Sequence, residues 1–193
     1  MSASRSVEGP ASSTHEEAAD VRVGSILFTD LVGFTEYTDV VGDAAALGVL
    51  DEQAAIVGSS FEVGPDARVV KELGDGLMLW FGSPAQALDV AACVQRALIE
   101  ARDAGRFPLS MRMGLHHGEV VARGDDFVGR TVNIASRVSD LAAPGELLVS
   151  EAMVEAVNGL SSAGFDPIGP ARIRGVSEPI WLYRLTTSNL PRS

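Results

Sequence analysis

The sequence has one cysteine, Cys93, and only 15 basic residues against 26 acidic ones. A single cysteine excludes an intramolecular disulfide and a cysteine-based zinc site, and it favours a reducing, cytoplasmic location. The formal net charge of −11 disfavours non-specific binding to nucleic acid. No apolar run approaches the roughly 18 residues needed to cross a bilayer, so no membrane span is predicted.

Strands and helices alternate along the 193 residues, which are enough for one domain of ordinary size. The composition predicts a flexible tail over 1–20, one folded domain over 21–187 and a short tail over 188–193. Strands are predicted at Val23–Leu31, Arg68–Lys71, Leu77–Phe81, Leu109–Val121, Glu146–Ser150 and Ile180–Leu185. The glycines around Asp75 indicate a hairpin, so the sheet is mixed and the fold is α+β, with a helix layer on one sheet face.

Helices are predicted from Phe34, after Gly42, from Pro84 to about Ala104, from Gly129 to Leu141 and from Glu151 to Val157. The helix after Gly42 is expected to bury one apolar face, formed by Leu47, Leu50, Ala54, Val57 and Phe61. The helix from Pro84 opens with a capping box and carries the apolar stripe Ala87, Ala91, Val94, Leu98 and Ala101.

Two acidic residues lie at the ends of predicted strands. Asp30 ends the first strand, just before a glycine turn and the helix at Phe34. A carboxylate there can bind a hard cation, and the helix N-terminus offers free N–H groups to an anion; the alternative is that Asp30 caps the turn. Asp75 lies between two glycines at the hairpin and is either a second carboxylate near Asp30 or an ordinary turn residue.

Cationic and amide side chains accompany these acids. Lys71 precedes Asp75 by four strand residues, or roughly 13 Å, so the two are expected to serve different sites or opposite ends of a ligand, unless Lys71 is simply solvated. Asn133 and Arg137 share a helix face and could bind a sugar and a phosphate. The alternative is a solvated face on which Arg137 pairs with Asp140.

The remaining polar candidates are less specific. Arg112, on a predicted strand, is either a surface residue or a phosphate ligand, and Asp126 lies in a loop where a solvated turn is the alternative. His116 and His117 are adjacent strand residues whose side chains point to opposite faces, so they cannot chelate one ion together.

Taken together, these segments resemble the catalytic domain of class III nucleotide cyclases. The matching strings are FTDLVGFT, KELGDGLM, MRMGLHHGEV and GDDFVGRTVNIASRV, in that order, with GVSEPIWLYRL as the closing strand. The resemblance covers about Val21 to Leu185 and implies the family's ferredoxin-like mixed sheet with helices packed on it.

The resemblance implies a role for each candidate. Asp30, Asp75 and the carbonyl of Leu31 match ligands of two divalent cations, Mg²⁺ or Mn²⁺. The amides of Gly33, Phe34 and Thr35 match a phosphate-binding turn, and Arg112 matches a residue that contacts the triphosphate. Lys71 and Asp126 match the pair that binds the purine, Asn133 the residue that orients the ribose, and Arg137 the one that stabilises the transition state. Some members of the family also have a lysine for the terminal phosphates where this chain has Val176. The expectation is that Arg174 or Arg112 does that work here, and the alternative is a weak affinity for the triphosphate.

The expected reaction is the conversion of ATP to 3′,5′-cyclic AMP and pyrophosphate. Lys71 only donates hydrogen bonds and Asp126 only accepts them, which suits N1 and N6 of adenine and mismatches both edges of guanine. Family members form head-to-tail dimers, so a homodimer with shared sites is expected. The alternatives are a guanylate cyclase and an inactive nucleotide-binding module of the same fold, and a regulatory domain or partner is not identified by the sequence.

Overall fold

A computed structural model describes residues 19–158, 160 and 163–186 of the chain. The strands are β1 (Asp20–Val32), β2 (Ala67–Leu73), β3 (Gly76–Phe81), β4 (Ser110–Arg123), β5 (Asp126–Val128), β6 (Leu147–Ser150), β7 (Gly164–Ala171) and β8 (Ile180–Thr186). The helices are α1 (Phe34–Val41), α2 (Asp43–Ser59), α3 (Pro84–Asp103), α4 (Arg130–Leu141) and α5 (Glu151–Ala156). The predicted tails lie outside the described residues except for residues 19 and 20, and Asp20 already begins β1.

The eight strands form one mixed sheet in the order β2-β3-β1-β4-β6-β8-β7, with β5 paired to β4. β1 is antiparallel to both β3 and β4, whereas β4 and β6 are parallel. This topology confirms the predicted α+β fold with a mixed sheet. It places the C-terminal end of β1 beside the start of β4, where Asp30 is directly opposite Arg112.

Helices cover both faces of the sheet, so the expectation of a helix layer on one face is wrong. The largest core cluster joins residues of α2, α3 and α5 to alternate residues of β1 and β4, such as Leu27 and Leu115. On the opposite face, α4 packs Ala135 against Ile26 and Val120. The sequence of α4 allows this because its apolar residues recur every three or four positions, while its charged residues face outwards.

The buried face of the second helix overlaps only in part with the one predicted: Val57 is buried as expected, and Leu50 and Phe61 are partly buried against the core. Its buried residues are Ala46, Val49, Gln53, Ile56 and Val57, whereas Leu47 is 59% exposed and Ala54 is exposed as well. The face that packs on the sheet includes Gln53, whose amide donates to the carbonyl of Asp75 at 3.1 Å. The apolar stripe predicted for α3 is confirmed, since all five of its residues are buried.

Two strands were absent from the prediction. β5 is only three residues long and contains Asp126, which the sequence placed in a loop. β7 carries two prolines and two glycines, a composition untypical of strands, and it has a register irregularity between Pro167 and Gly169. The prolines are tolerated because β7 is the edge strand of the sheet, where a residue without an N–H group can face away from the ladder of hydrogen bonds.

The β4–α4 packing depends on a glycine. A Cβ at Gly114 would lie 2.6 Å from Cα of Ser139 and 2.7 Å from the carbonyl carbon of Val138, both in the backbone of α4. Only a residue without a side chain therefore lets the helix approach the strand this closely. The position of α4, and of the candidate residues Asn133 and Arg137 on it, depends on this contact.

Candidate active site

Asp30 and Asp75, here called the acid pair, lie together at the end of β1. The turn that carries Asp75 packs on this strand end, because a Cβ at Gly76 would lie 2.6 Å from the Thr29 carbonyl oxygen and 3.7 Å from Oδ1 of Asp30. The Leu77 amide donates to Oγ1 of Thr29 at 3.1 Å, which also holds this turn against β1. The carboxylates of Asp30 and Asp75 thus lie near each other, as expected.

Burial raises the pKa of the Asp75 carboxyl, and the negative charge of Asp30 adds to this effect. Both causes disfavour a second negative charge at this point unless a cation is present. The environment is therefore one that a bound cation would stabilise.

Arg112 lies across from Asp30 and binds it through two nitrogens. Its Nε and Nη2 atoms are each 2.7 Å from Oδ2 of Asp30, and the two side chains are 30% and 35% exposed. Its third nitrogen, Nη1, donates to the carbonyl of Asp140 at 3.4 Å. Arg112 is thus not an isolated surface residue but part of the same strand end as the acid pair.

The turn after β1 presents backbone donors beside the acid pair. Gly33 has φ 79°, a left-handed conformation that glycine adopts without strain, and α1 begins at Phe34 with no side-chain cap. The first amides of the helix, including those of Phe34 and Thr35, therefore have no helical acceptor of their own and can bind an anion.

Lys71 and Asp126 form an ion pair. Nζ of Lys71 lies 2.7 Å from Oδ2 of Asp126, and the Phe127 amide donates to Oδ1 at 2.8 Å. The hydrogen bond from Lys71 lowers the pKa of the Asp126 carboxyl, so Asp126 is an ionised acceptor at neutral pH. Each side chain therefore has the other as its partner, although both stay partly solvated, at 36% and 39% exposed.

Asn133 and Arg137 line a groove between α4 and the segment before β8. The groove has a volume of about 640 Å³, and its wall also includes Arg130, Arg174 and Val176. Nη1 of Arg137 lies 3.0 Å from Oδ2 of Asp140, so the local pairing that the sequence allowed is present. Within the described chain, Asn133, Arg130 and Arg174 have no side-chain hydrogen bond or ion pair.

The structure therefore brings the candidates together in three groups. The first is the strand end with Asp30, Asp75, Leu31 and Arg112, the second is the pair of Lys71 and Asp126, and the third is the groove with Asn133 and Arg137. Arg130 is a groove residue that the sequence did not predict; it is the first residue of α4, where a lone arginine gave no separate signal. Arg174 was anticipated from the missing lysine, and it does lie on the groove.

The residues suit divalent cations of the Mg²⁺ type rather than a preformed metal cage. No group of three or more His, Cys, Asp and Glu side chains suited to one ion occurs in the described ranges. Mg²⁺ commonly uses one or two protein carboxylates and completes its shell with water and substrate phosphates. The acid pair and the Leu31 carbonyl fit such a partial shell, because the half-buried Asp75 carboxyl and its charged neighbour Asp30 would both gain from a cation.

His116 and His117 make separate contacts, because adjacent strand residues point to opposite faces of the sheet, as predicted. Nδ1 of His116 is 2.6 Å from Oγ of Ser150, and Nδ1 of His117 is 2.9 Å from Oγ of Ser25. Burial lowers the pKa of His116 to about 4, with smaller contributions from His117 and Arg130. His116 is therefore neutral at pH 7, and the two rings lie on opposite faces of β4.

Comparisons with known proteins agree with this geometry. Residues 16–187 match the family model of the adenylate and guanylate cyclase catalytic domain. The chain is 36% identical over 165 residues to the pH-sensitive adenylate cyclase MT1302 of Mycobacterium tuberculosis, covering 83% of this chain and 40% of that protein. It thus spans about two fifths of that relative's length.

Solved structures show the same fold. The adenylyl cyclase CyaB from P. aeruginosa superimposes with a TM-score of 0.72 at 21% identity, over 87% of this chain and 95% of that one. The catalytic core of a rhodopsin-guanylyl cyclase with converted specificity, in complex with ATPαS, superimposes with a TM-score of 0.74 at 21% identity, over 88% and 98%. No helix in the described part of this chain is long and apolar enough to span a membrane. On these grounds the chain belongs to the adenylate and guanylate cyclase family, through its catalytic domain.

Proposed function

We propose that the protein is an adenylate cyclase that converts ATP to 3′,5′-cyclic AMP and pyrophosphate. The observation that carries the choice of base is the ion pair between Lys71 and Asp126, with its 2.7 Å contact. Adenine presents an acceptor at N1 and a donor at N6, which Lys71 and Asp126 complement. Guanine presents a donor and an acceptor at the corresponding positions, so both contacts would be mismatched and discrimination of roughly 10⁴ is attainable.

In the proposed reaction the 3′-oxygen of ATP attacks the α-phosphorus, and a new P–O bond forms as the bond to pyrophosphate breaks. The hydroxyl proton leaves to water or to a basic oxygen at the site, and pyrophosphate carries away the negative charge. Two divalent cations, held by Asp30, Asp75 and the Leu31 carbonyl, would activate the hydroxyl and neutralise the leaving phosphates.

The protein's own groups provide orientation and charge. The amides of Gly33, Phe34 and Thr35 bind phosphate oxygens, and Arg112 exchanges part of its contact with Asp30 for the triphosphate. Asn133 orients the ribose. Arg137 leaves Asp140 and makes its strongest contact when charge builds on the phosphorus, so that it binds the transition state better than the substrate.

The proposal includes a head-to-tail homodimer in which one subunit provides the acid pair and the other provides Lys71, Asp126, Asn133 and Arg137. Support comes from the grouping of these residues within one chain: the acid pair has Arg112 as its partner, while the purine pair and the α4 groove form separate groups. The adenylate cyclase name of the mycobacterial relative adds support for ATP.

The test is a cyclase assay of the purified protein on ATP and on GTP, with Mg²⁺ or Mn²⁺, over a range of protein concentrations. We expect cyclic AMP as the main product and a specific activity that rises with concentration as the dimer forms. Faster turnover of GTP would refute the adenylate assignment and favour the alternative of a guanylate cyclase. Nucleotide binding without turnover of either substrate would leave only a binding module.

A further inference from the structure

The purine pair joins two strands that are not neighbours in the sheet. Lys71 is on β2 and Asp126 is on β5, and in the strand order β3, β1 and β4 lie between them. Four strand spacings in a flat sheet would separate them by about 19 Å, but their charged atoms are 2.7 Å apart. The β4–β5 hairpin must therefore fold back over the sheet face towards β2.

Two glycines lie where the β1–β4 ribbon extends beyond β3. Gly24 and Gly118 are directly opposite each other, and the last residue of β3, Phe81, pairs with Ser25. A Cβ at Gly24 would overlap the Trp80 ring, and one at Gly118 would lie 2.7 Å from Oγ1 of Thr131. Paired glycines without side chains allow the ribbon to bend here and let Trp80 lie against it.

Apart from the ion pair itself, β5 is held against this face by Phe127. The Phe127 ring is fully buried, its centroid is 4.4 Å from that of Trp80, and the two planes meet at 31°. The guanidinium carbon of Arg68 lies 4.8 Å from the Phe127 centroid. Arg68 and Trp80 are themselves a cross-strand pair of β2 and β3. We call Arg68, Trp80 and Phe127 the arginine–aromatic stack.

The stack controls the direction of the Asp126 acceptor. Oδ1 of Asp126 takes the amide of Phe127 at 2.8 Å, so the backbone at Phe127 fixes the carboxylate, and the ring fixes that backbone on the sheet. On the other side, Arg68 precedes Lys71 by three residues on β2. The same stack thus connects the strands that carry both halves of the purine pair.

We infer that the arginine–aromatic stack is a specificity-determining device: Arg68 and Phe127 are positioning residues that hold Asp126 against Lys71 and thereby set the preference for one purine over the other. This inference rests on the proposed function for the identity of the purine pair. Neither residue contacts the base in this arrangement; each acts through the position of the carboxylate. An Asp126 carboxylate that is held less firmly can rotate to accept a hydrogen bond from guanine or from water. We therefore expect the selectivity for one purine to fall more than the rate of turnover.

The experiment measures the binding of 3′-deoxy-ATP and 3′-deoxy-GTP, which lack the attacking hydroxyl, to the full chain by calorimetry at one protein concentration. The variants are Arg68→Met, which removes the charge from a half-buried side chain, Arg68→Lys, which keeps it, and Phe127→Leu, which removes the ring. Matched controls are Arg96→Met on α3 and Phe61→Leu, whose ring contacts Phe81 in the core of the opposite face.

We expect the ratio of the two dissociation constants to fall by about 3- to 10-fold in Arg68→Met and Phe127→Leu, a range that loss of one cation–π or aromatic contact can produce. Arg68→Lys should restore most of the ratio, and both controls should keep it. If the ratio stays within about twofold of wild type in Arg68→Met, or if Phe61→Leu changes it equally, the inference is wrong and the stack is only structural. Arg68→Met decides the matter even if Phe127→Leu fails to fold.

The failure of this inference can be told apart from failure of the proposed function. Turnover of ATP by the wild-type protein tests the function, whereas the binding ratio needs no turnover. A wild-type protein that prefers 3′-deoxy-GTP would refute the adenylate assignment, yet a change of that preference in Arg68→Met would still support the role of the stack.

Discussion

Replacing Gly114 with alanine is expected to reduce cyclase activity severely while leaving the protein folded. The added Cβ would lie 2.6 Å from Cα of Ser139 and 2.7 Å from the carbonyl carbon of Val138, and it would overlap the Ser139 nitrogen. Carbon atoms pack at about 3.5–4.0 Å, so α4 must move away from β4 by roughly 1 Å. The atoms in the way are helix backbone, which cannot rotate aside as a side chain can.

The displaced helix carries Asn133 and Arg137. A 1 Å misplacement of catalytic groups can cost about 100-fold in rate, which corresponds to roughly 2.7 kcal/mol in the barrier. Overpacking of this kind costs about 1–3 kcal/mol in the free energy of unfolding, or a decrease in Tm of about 2–12 °C for a domain of this size. We therefore expect kcat to fall about 100-fold, with a smaller change in the binding of 3′-deoxy-ATP, whose base contacts do not involve α4.

Gly48→Ala provides a matched control, because Gly48 lies within α2 and a Cβ there would have no neighbour within 4 Å. This change should keep full activity and stabilise the protein by about 0.5–1 kcal/mol, as alanine is the better helix former. Steady-state kinetics and thermal unfolding of both variants are the measurements. A folded Gly114→Ala protein with wild-type kcat would refute the reasoning, as would an equal loss of activity in Gly48→Ala.

Three further outcomes are expected. Asp30→Ala and Arg137→Ala should each be inactive alone, and mixing them after subunit exchange should recover about a quarter of wild-type activity, since half of the dimers would contain one intact site; no recovery with exchange confirmed would exclude shared sites. Chelation by EDTA should abolish turnover, and Mg²⁺ or Mn²⁺ should restore it; activity that persists in EDTA would contradict the metal role of the acid pair. The free energy of unfolding should fall as the pH is lowered from about 6.5 towards 4, because the unfolded chain then binds a proton that His116 in the folded protein, with its pKa lowered to about 4, does not. Urea unfolding should show up to about 3 kcal/mol of this loss, and His116→Asn should show a flatter pH profile, whereas an unchanged slope would exclude His116 as a source.

The sequence predicts the buried positions of a helix best where an apolar face contrasts clearly with a polar one. In α3 every predicted stripe residue is buried, and the charged residues Asp89, Arg96 and Glu100 fall outside the stripe at helical spacing. In α2 the alanines and Gly48 give little contrast, so Val57 was predicted correctly as buried, whereas Leu47 and Ala54 were wrongly included. The actual face includes Gln53, whose contact with the turn at Asp75 is a tertiary interaction that the local pattern does not show.

In the candidate site, too, the sequence predicts the features that have local signals and misses those that depend on tertiary contacts. Strand ends and glycine turns predict where Asp30 and Asp75 lie, because such signals are local. The opposition of Asp30 and Arg112 follows from the register of β1 and β4, whose sequence separation of 82 residues leaves no local trace. β5 folds back over the sheet where the Phe127 ring packs on Trp80. Such a tertiary contact has no local sequence signal, and for this reason the sequence predicted Asp126 only as a loop residue.

The ribbon of β1 and β4 has a mechanical consequence at its outer end. Asp20, the first residue of β1, pairs with Ala122, and Ala122 pairs in turn with Phe127. Force applied to the chain ahead of Asp20 would thus be transmitted through two rungs of backbone hydrogen bonds to Phe127, next to the Asp126 carboxylate that is proposed to bind the base. A rigid fusion attached ahead of Asp20 is therefore expected to change the preference between ATP and GTP. The same fusion attached after β8 would act on strands remote from the β4–β5 hairpin.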